Sequence, residues 1–313
     1  MAGTPPRAQH RAMYKTILVP FDGSVLSARA LPVAVALARR CGARLILALV
    51  HDPSAYIPFV PGEVAIPVYD ADLISEHRQQ DQAALDAALA ELTTQGISAT
   101  GVLLEGTIIE ALVEHAQSVG VDLTVMTSHG RSGFQRLRLG SVATAYLTRA
   151  TAPVYLVRGV GTDAAPELPV GTLLCTLDGS PFAEAILPHA TAFADAAGLT
   201  MALLSLAVPQ AMPMAPFGAE ALLVDESAMA LDESGRRAYL TRLASKCPPG
   251  TTVHVVTDMS VSRAIIDEAT RTSAGALAMA THGRGGLKRM VLGSVADEVL
   301  RHTHTPVLVY RPS

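Results

Sequence analysis

The feature that most constrains this sequence is an internal duplication across almost all of its 313 residues. The segment KTILVPFDGS (15–24) returns as GTLLCTLDGS (171–180), and SHGRSGFQRLRLGS (128–141) returns as THGRGGLKRMVLGS (281–294). The stretches between these segments follow in the same order in both halves. Two long repeats predict a duplicated domain, because a solenoid would need shorter and more numerous units.

The duplication predicts two domains with a boundary between them. We expect a disordered extension at residues 1–13, a first domain at 14–158, a linker at 159–169 and a second domain at 170–313. The linker, GVGTDAAPELP, is rich in Gly, Pro and Ala, as domain boundaries usually are.

Short apolar runs alternate with segments of helical period in each half. The runs of the first half are TILVP, RLILALV, ATGVLLE, DLTVMT and PVYLV. Runs of this kind are typical of strands buried on both faces, and strands that alternate with helices form parallel sheets. Each half is therefore predicted to be a Rossmann-like α/β domain, with a five-stranded parallel sheet covered by helices on both faces.

The helices of the first half are predicted at residues 24–40, 79–96, 107–120 and 141–149. Pro32 and its counterpart Pro188 fall inside the first helix of each half, where a proline removes a backbone hydrogen bond and can break the helix. The proline-rich segments 52–69 and 209–218 are predicted loops after the second strand of each half.

Charge and cysteine content exclude several classes of protein. The 24 Lys and Arg against 28 Asp and Glu leave a formal net charge of -4, which disfavours a nucleic-acid partner. The three cysteines are widely spaced and form no CxxC pair, so neither a disulfide framework nor a zinc site is expected. The sequence shows no signal-peptide or membrane-spanning pattern, and we expect a cytoplasmic protein without a membrane partner.

The duplicated glycine-containing loop follows the fourth predicted strand and leads into a helix, with Ser141 or Ser294 as the candidate N-cap. Parallel sheets bind ligands beyond the carboxyl ends of their strands. A helix N-terminus there offers unpaired N–H groups and a positive dipole end, which suit phosphate. Gly130 and Gly140 would let the backbone approach an anion without a Cβ in the way. The loop is therefore a candidate phosphate site.

Asp22 and Asp178 end the first strand of each half. An aspartate at this place could accept hydrogen bonds from a ribose diol. The alternative is structural, because Asp followed by Gly is common in turns, where the carboxylate binds nearby backbone N–H groups. Both interpretations remain open at this point.

The chain resembles a tandem universal stress protein, in which two adenine-nucleotide-binding α/β domains are fused. The family's pattern is GxxGxxxxxxxxxG followed by Ser or Thr; here it reads TSHG, nine residues and GS (127–141), and ATHG, nine residues and GS (280–294). The resemblance covers residues 14–158 and 170–311 and implies domains like those of adenine nucleotide alpha hydrolases.

The resemblance also implies which residues bind the nucleotide. The aspartates would contact ribose, the end of the second strand would contact adenine through its backbone, and the glycine-serine segments would hold phosphates. The residues assigned in this way are Pro20, Asp22, Val50, Gly130, Gly140, Ser141 and Val142 in the first half, and Asp178, Leu206, Gly283, Gly293, Ser294 and Val295 in the second half.

The sequence departs from the family pattern at three places. The first glycine is replaced by Thr127 in one half and by Ala280 in the other, so that a Cβ enters the turn. Pro20 is replaced by Thr176 in the second half, and the pair Glu105 and Gly106 is replaced by Asp258 and Met259. We therefore expect the two sites to differ in affinity, or one of them to be silent.

No catalytic or metal-ligating residue is assigned. His129 and His282 precede the retained glycines without a partner that the sequence identifies, and a turn histidine more often packs against its loop. His302 and His304 are too few ligands for a metal site. No GxxxxGK[ST] loop is present, and any Mg²⁺ is expected to arrive with the nucleotide.

These observations predict a non-catalytic universal stress protein that binds ATP and acts on an unidentified protein partner. The runner-up is a nucleotide-free scaffold that acts through protein contacts alone, and slow ATP hydrolysis is a third alternative. The closing segments 152–158 and 305–311 would be exposed apolar edge strands unless they pair, so we expect an intramolecular pseudo-dimer, with a homodimer as a further option. Because Ala280 is smaller than Thr127 and Lys288 replaces Gln135, the second half is expected to bind more tightly.

Overall fold

The computed structural model describes residues 14–56, 71–128, 139–158, 167–208, 226–281 and 292–312. The predicted extension, most of the linker, most of the proline-rich segment 52–69, all of the segment 209–218 and the central parts of both glycine-containing loops lie outside the described residues.

The first half contains five strands and five α-helices among the described residues. The strands are β1 (Thr16–Phe21), β2 (Arg44–His51), β3 (Ala99–Glu105), β4 (Leu123–Thr127) and β5 (Val154–Val157). The helices are α1 (Val25–Ala28), α2 (Leu31–Cys41), α3 (Ala71–Thr94), α4 (Ile108–Ser118) and α5 (Ser141–Leu147), with a 3-10 turn at Pro53–Tyr56.

The second half repeats this order over its described residues. Its strands are β6 (Thr172–Thr176), β7 (Thr200–Ala207), β8 (Thr252–Thr257), β9 (Ala276–Ala280) and β10 (Val307–Tyr310). Its helices are α6 (Pro181–Glu184), α7 (Leu187–Ala197), α8 (Glu226–Ala244), α9 (Val261–Arg271) and α10 (Ser294–His302).

The predicted α/β architecture is confirmed, with two differences in the helices. The first helix of each half is two helices, α1 with α2 and α6 with α7, and Pro32 and Pro188 lie in the first turn of the second member, where a missing N–H costs no hydrogen bond. The helix predicted at residues 79–96 begins earlier, at Ala71. Residues 71–80 are mostly exposed and form no buried apolar face, so apolar periodicity does not reveal them. No helix in the described ranges is long and apolar enough to cross a membrane.

The ten strands form one sheet in the order β3-β2-β1-β4-β5-β10-β9-β6-β7-β8. Neighbouring strands are parallel within each half, whereas β5 and β10 pair antiparallel, with Val307 opposite Leu156 and Val309 opposite Val154. The prediction that the closing strands meet is confirmed. Because this pair is antiparallel, the carboxyl ends of the two sets of strands lie at opposite edges of the sheet.

Side chains from both halves also pack below the paired strands. The ring of Tyr155 in β5 lies 4.5 Å from the ring of Phe193 in α7, and the Tyr14 hydroxyl donates to the His189 carbonyl at 3.3 Å. Arg158 donates to the carbonyl of Leu300, and its burial lowers the pKa of its guanidinium to about 10. The halves therefore share a packed interface in addition to the hydrogen bonds of the strand pair.

We expect Val154→Asp and Val307→Asp each to destabilise the whole chain. Both valines are at most 1% exposed, and a carboxylate there would lose its hydration without a partner, at a cost of several kcal/mol. The measurement is the melting temperature, with His304→Asp as the control because His304 is exposed close to β10 in the chain. Unchanged melting temperatures in both valine variants would contradict this account of the interface.

A buried carboxylate joins α9 to the outer strand β8. Glu268 is 4% exposed, its two oxygens accept hydrogen bonds from Arg271 at 2.7 and 2.6 Å, and its Oε1 lies 2.6 Å from Nδ1 of His254. The hydrogen bonds from Arg271 are the main cause that lowers the pKa of Glu268, and they outweigh burial, which acts in the opposite direction. The charged form of Glu268 therefore stabilises the position of α9.

Glu268→Gln should lower the free energy of unfolding at pH 7 by about 1–3 kcal/mol, because the charge-assisted hydrogen bonds are lost. The contribution of the carboxylate is complete above the unfolded glutamate pKa, about 4.3, and disappears as the pH falls through the lower folded value. Urea titrations between pH 7 and 3 should therefore show the two proteins converging at low pH. The control is Asp267→Asn, which changes an exposed neighbour on the same helix; an equal effect of both variants would contradict the role of Glu268.

Candidate functional site

A cavity of about 250 Å³ lies in the second half at the carboxyl ends of β6, β7 and β9. The chain proceeds from β6 outward to β7 and β8 on one side, whereas β9 and β10 lie on the other side of β6. Parallel α/β sheets bind ligands at such a reversal of strand order, because the loops there diverge and leave a crevice. The cavity therefore lies where the fold favours a ligand.

One wall of the cavity is apolar. It contains Leu206 at the end of β7, Val261 and Ile265 on α9, and Met279 on β9. All of these belong to the core that covers this face of the sheet or pack against it. Such a wall suits the face of a planar ring, because burying apolar surface is favourable without any directional requirement.

The N-terminus of α10 also lines the cavity. Gly293, Ser294 and Val295 line the cavity, and Gly293 is the N-cap residue, with no side-chain capping hydrogen bond. The first backbone N–H groups of a helix have no acceptor within the helix, and the helix dipole is positive there. This side of the cavity is therefore suited to an anion.

The prediction that Ser141 or Ser294 caps its helix is wrong. The caps are Gly140 and Gly293, both in extended conformation, and each serine is the first helical residue. A glycine places no side chain over the first-turn N–H groups, so the N-cap residue itself does not cover them. The serine hydroxyls lie on the exposed surface next to them.

Asp178 lines the cavity beside Thr176 and Leu177, just beyond the end of β6. Its Oδ1 accepts hydrogen bonds from the N–H and the hydroxyl of Ser180, at 2.9 and 2.6 Å. In the first half, Asp22 Oδ1 accepts from the Ser24 N–H at 3.0 Å. The turn role of both aspartates is thus confirmed. Oδ2 of Asp178 has no hydrogen-bond partner among the described residues, so the turn occupies only half of this carboxylate.

The corresponding residues of the first half occupy equivalent places. Pro20, near the carboxyl end of β1, lies opposite Ala48 of β2, and Val50 lies near the end of β2. Gly140, Ser141 and Val142 begin α5, and the Gly140 N–H donates to the Ser128 carbonyl at 2.7 Å, which joins the two ends of the glycine-containing loop.

Of the thirteen residues assigned by resemblance, the cavity brings together five: Asp178, Leu206, Gly293, Ser294 and Val295. Gly130 and Gly283 lie outside the described residues, as do His129 and His282. The binding roles of all thirteen stay predictions. Sequence reasoning missed Val261 and Ile265, because their spacing on α9 is that of an ordinary core-facing helix. The available signal is that α9 follows Asp258 and Met259, the pair at which the second half departs from the family pattern.

Comparison with known proteins identifies the family. A sequence model of the universal stress protein family matches residues 13–158 and 170–311. A universal stress protein of Mycolicibacterium smegmatis is 30% identical over 229 residues, which cover 70% of this chain and 71% of that protein. Universal stress protein YxiE of Bacillus subtilis is 32% identical over 148 residues, covering 47% of this chain and 100% of that protein. The chain therefore belongs to the universal stress protein family, with two copies of the family's domain.

Solved structures support the fold. A universal stress protein from Archaeoglobus fulgidus has a TM-score of 0.66 at 19% identity, covering 95% of this chain and 98% of that chain. A protein of unknown function from Pseudomonas aeruginosa PAO1 has a TM-score of 0.68 at 18% identity, covering 96% and 95%. Both matches extend over the two halves together.

Proposed function

We propose that this chain binds an adenine nucleotide, with ATP as the ligand, and acts in a stress response without chemical turnover. The observation that carries the proposal is the composition of the second-half cavity. It combines an apolar wall, the N-terminus of α10 and a carboxylate that is only half used by its turn. A nucleotide has the three matching groups: a planar base, a diol and an anion.

Each part of the nucleotide would meet a suitable group. The base would lie against Leu206, Val261 and Ile265, and the ribose hydroxyls would donate to Asp178. The phosphates would accept hydrogen bonds from the first N–H groups of α10. The volume of about 250 Å³ is slightly below the usual range for small-molecule sites, about 300–1,000 Å³. We therefore expect the base and ribose to fill the cavity and the phosphates to extend across the helix N-terminus.

We propose a non-catalytic role because Asp178 is the one titratable side chain among the described residues that line the cavity. Hydrolysis needs a base within hydrogen-bond reach of the attacking water. Any Mg²⁺ would be held by the phosphates and water, since nucleotide-bound magnesium usually takes few ligands from the protein.

The bound nucleotide would stabilise one conformation for a protein partner, by the mass-action linkage that any ligand exerts. We further propose that the protein is cytoplasmic, in keeping with its three free cysteines, and that the domains divide at residues 159–169. Pairing of β5 with β10 already forms the pseudo-dimer within one chain, so a homodimer would need a different surface.

Mass spectrometry of the purified protein tests this function against the scaffold alternative. The expected result is a copurified adenine nucleotide, together with a rise in melting temperature on addition of ATP. The scaffold function is favoured by Thr127 and Ala280, whose side chains replace the first glycine of the pattern. The scaffold function would be correct if no nucleotide is found, ATP does not change the melting temperature and titration with ATP releases no heat.

We expect the second half to bind ATP more tightly than the first. Gly293→Val should abolish most of the calorimetric signal for ATP, because a branched side chain at the N-cap blocks the approach of phosphate to the first N–H groups. Gly140→Val should remove only the weaker site. Binding that survives Gly293→Val and is abolished by Gly140→Val would show that the ranking is wrong.

A further inference from the structure

We infer that Ala183 in the second half, and its counterpart Ser27 in the first, tune the nucleotide affinity of their own half. The inference rests on the proposed function and adds to it a residue that affects affinity and lies outside the family's binding pattern. Ala183 and Asp178 both line the cavity. Ser27 occupies the matching place in the first half, in the short helix that follows β1.

The backbone of this turn is the same in both halves. Ser24 is the N-cap of α1 and its hydroxyl accepts from the Ser27 N–H at 3.1 Å, while Ser180 is the N-cap of α6 and accepts from the Ala183 N–H at 3.1 Å. Each turn also contains the aspartate that accepts from the N–H of the N-cap serine. Position 27 of the first half and position 183 of the second therefore occupy the same place on a shared backbone and carry different side chains, Ser and Ala.

In the first half, the hydroxyl of Ser27 is committed to the turn. Its oxygen accepts the Asp22 N–H at 3.2 Å and donates to the Ser24 carbonyl at 3.0 Å, and the residue is 6% exposed. The Asp22 N–H, which follows β1, is therefore hydrogen-bonded within the protein. The hydroxyl oxygen also occupies space next to the aspartate that would contact ribose.

In the second half, Ala183 supplies no such acceptor. The N–H of Asp178 has no hydrogen-bond partner among the described residues, and Oδ2 of the same residue has none either. Asp178 thus offers one donor and one acceptor beside the methyl group of Ala183. A hydroxyl group of the ligand can accept a hydrogen bond from the Asp178 N–H and donate one to Oδ2. This pair of groups matches a sugar hydroxyl better than a carbonyl or an amine.

Two reciprocal substitutions test this assignment. Ala183→Ser, made in a Gly140→Val background so that only the second site is measured, should weaken ATP binding about tenfold, because the new hydroxyl occupies the Asp178 N–H. Ser27→Ala, made in a Gly293→Val background, should strengthen binding to the first site. Ala185→Ser is the matched control, because it adds the same hydroxyl in the same turn at a residue that does not line the cavity.

The measurement is calorimetric titration with ATP, with melting temperatures taken without nucleotide to show that each variant is folded. Unchanged affinity in Ala183→Ser, or weaker binding in Ser27→Ala, overturns the assignment while the wild type still binds ATP. If Ala183→Ser fails to fold, the Ser27→Ala result alone decides. No binding by the wild-type protein overturns the proposed function and this inference together.

Discussion

The antiparallel pairing of β5 with β10 is the interaction on which the rest of the structure depends. Both strands are short and apolar, and their residues are buried on both faces because helices of the two halves cover the joined sheet. Left unpaired, each strand would expose a row of backbone N–H and C=O groups that invites aggregation. The pairing removes both edges at once and leaves β3 and β8 as the outer strands.

The direction of this pairing also fixes where ligands can bind. Parallel strands within each half bring their carboxyl ends to one edge, and the antiparallel junction sends the two sets to opposite edges. The two candidate sites therefore lie at opposite edges of the sheet. The contrast between Ser27 and Ala183, on the same backbone, is a local difference between them.

Strand positions could be predicted from the sequence because buried parallel strands are continuous apolar runs, such as RLILALV in β2. The early start of α3 could not be predicted, since residues 71–80 are mostly exposed and form no apolar face that packs on the core. The family resemblance pointed to five residues of the cavity, whereas Val261 and Ile265 look like any core positions of an amphipathic helix. The division at residues 159–169 stays a prediction.

The central claim is that an adenine nucleotide occupies the cavity between β6 and β9. Photolabelling with 8-azido-ATP, followed by mass spectrometry of the tryptic peptides, locates the base directly. The account predicts a label in the peptides that contain Leu206 or the start of α9, and loss of that label when unmodified ATP is added in excess. A label confined to the first half, or one that excess ATP does not remove, would contradict it.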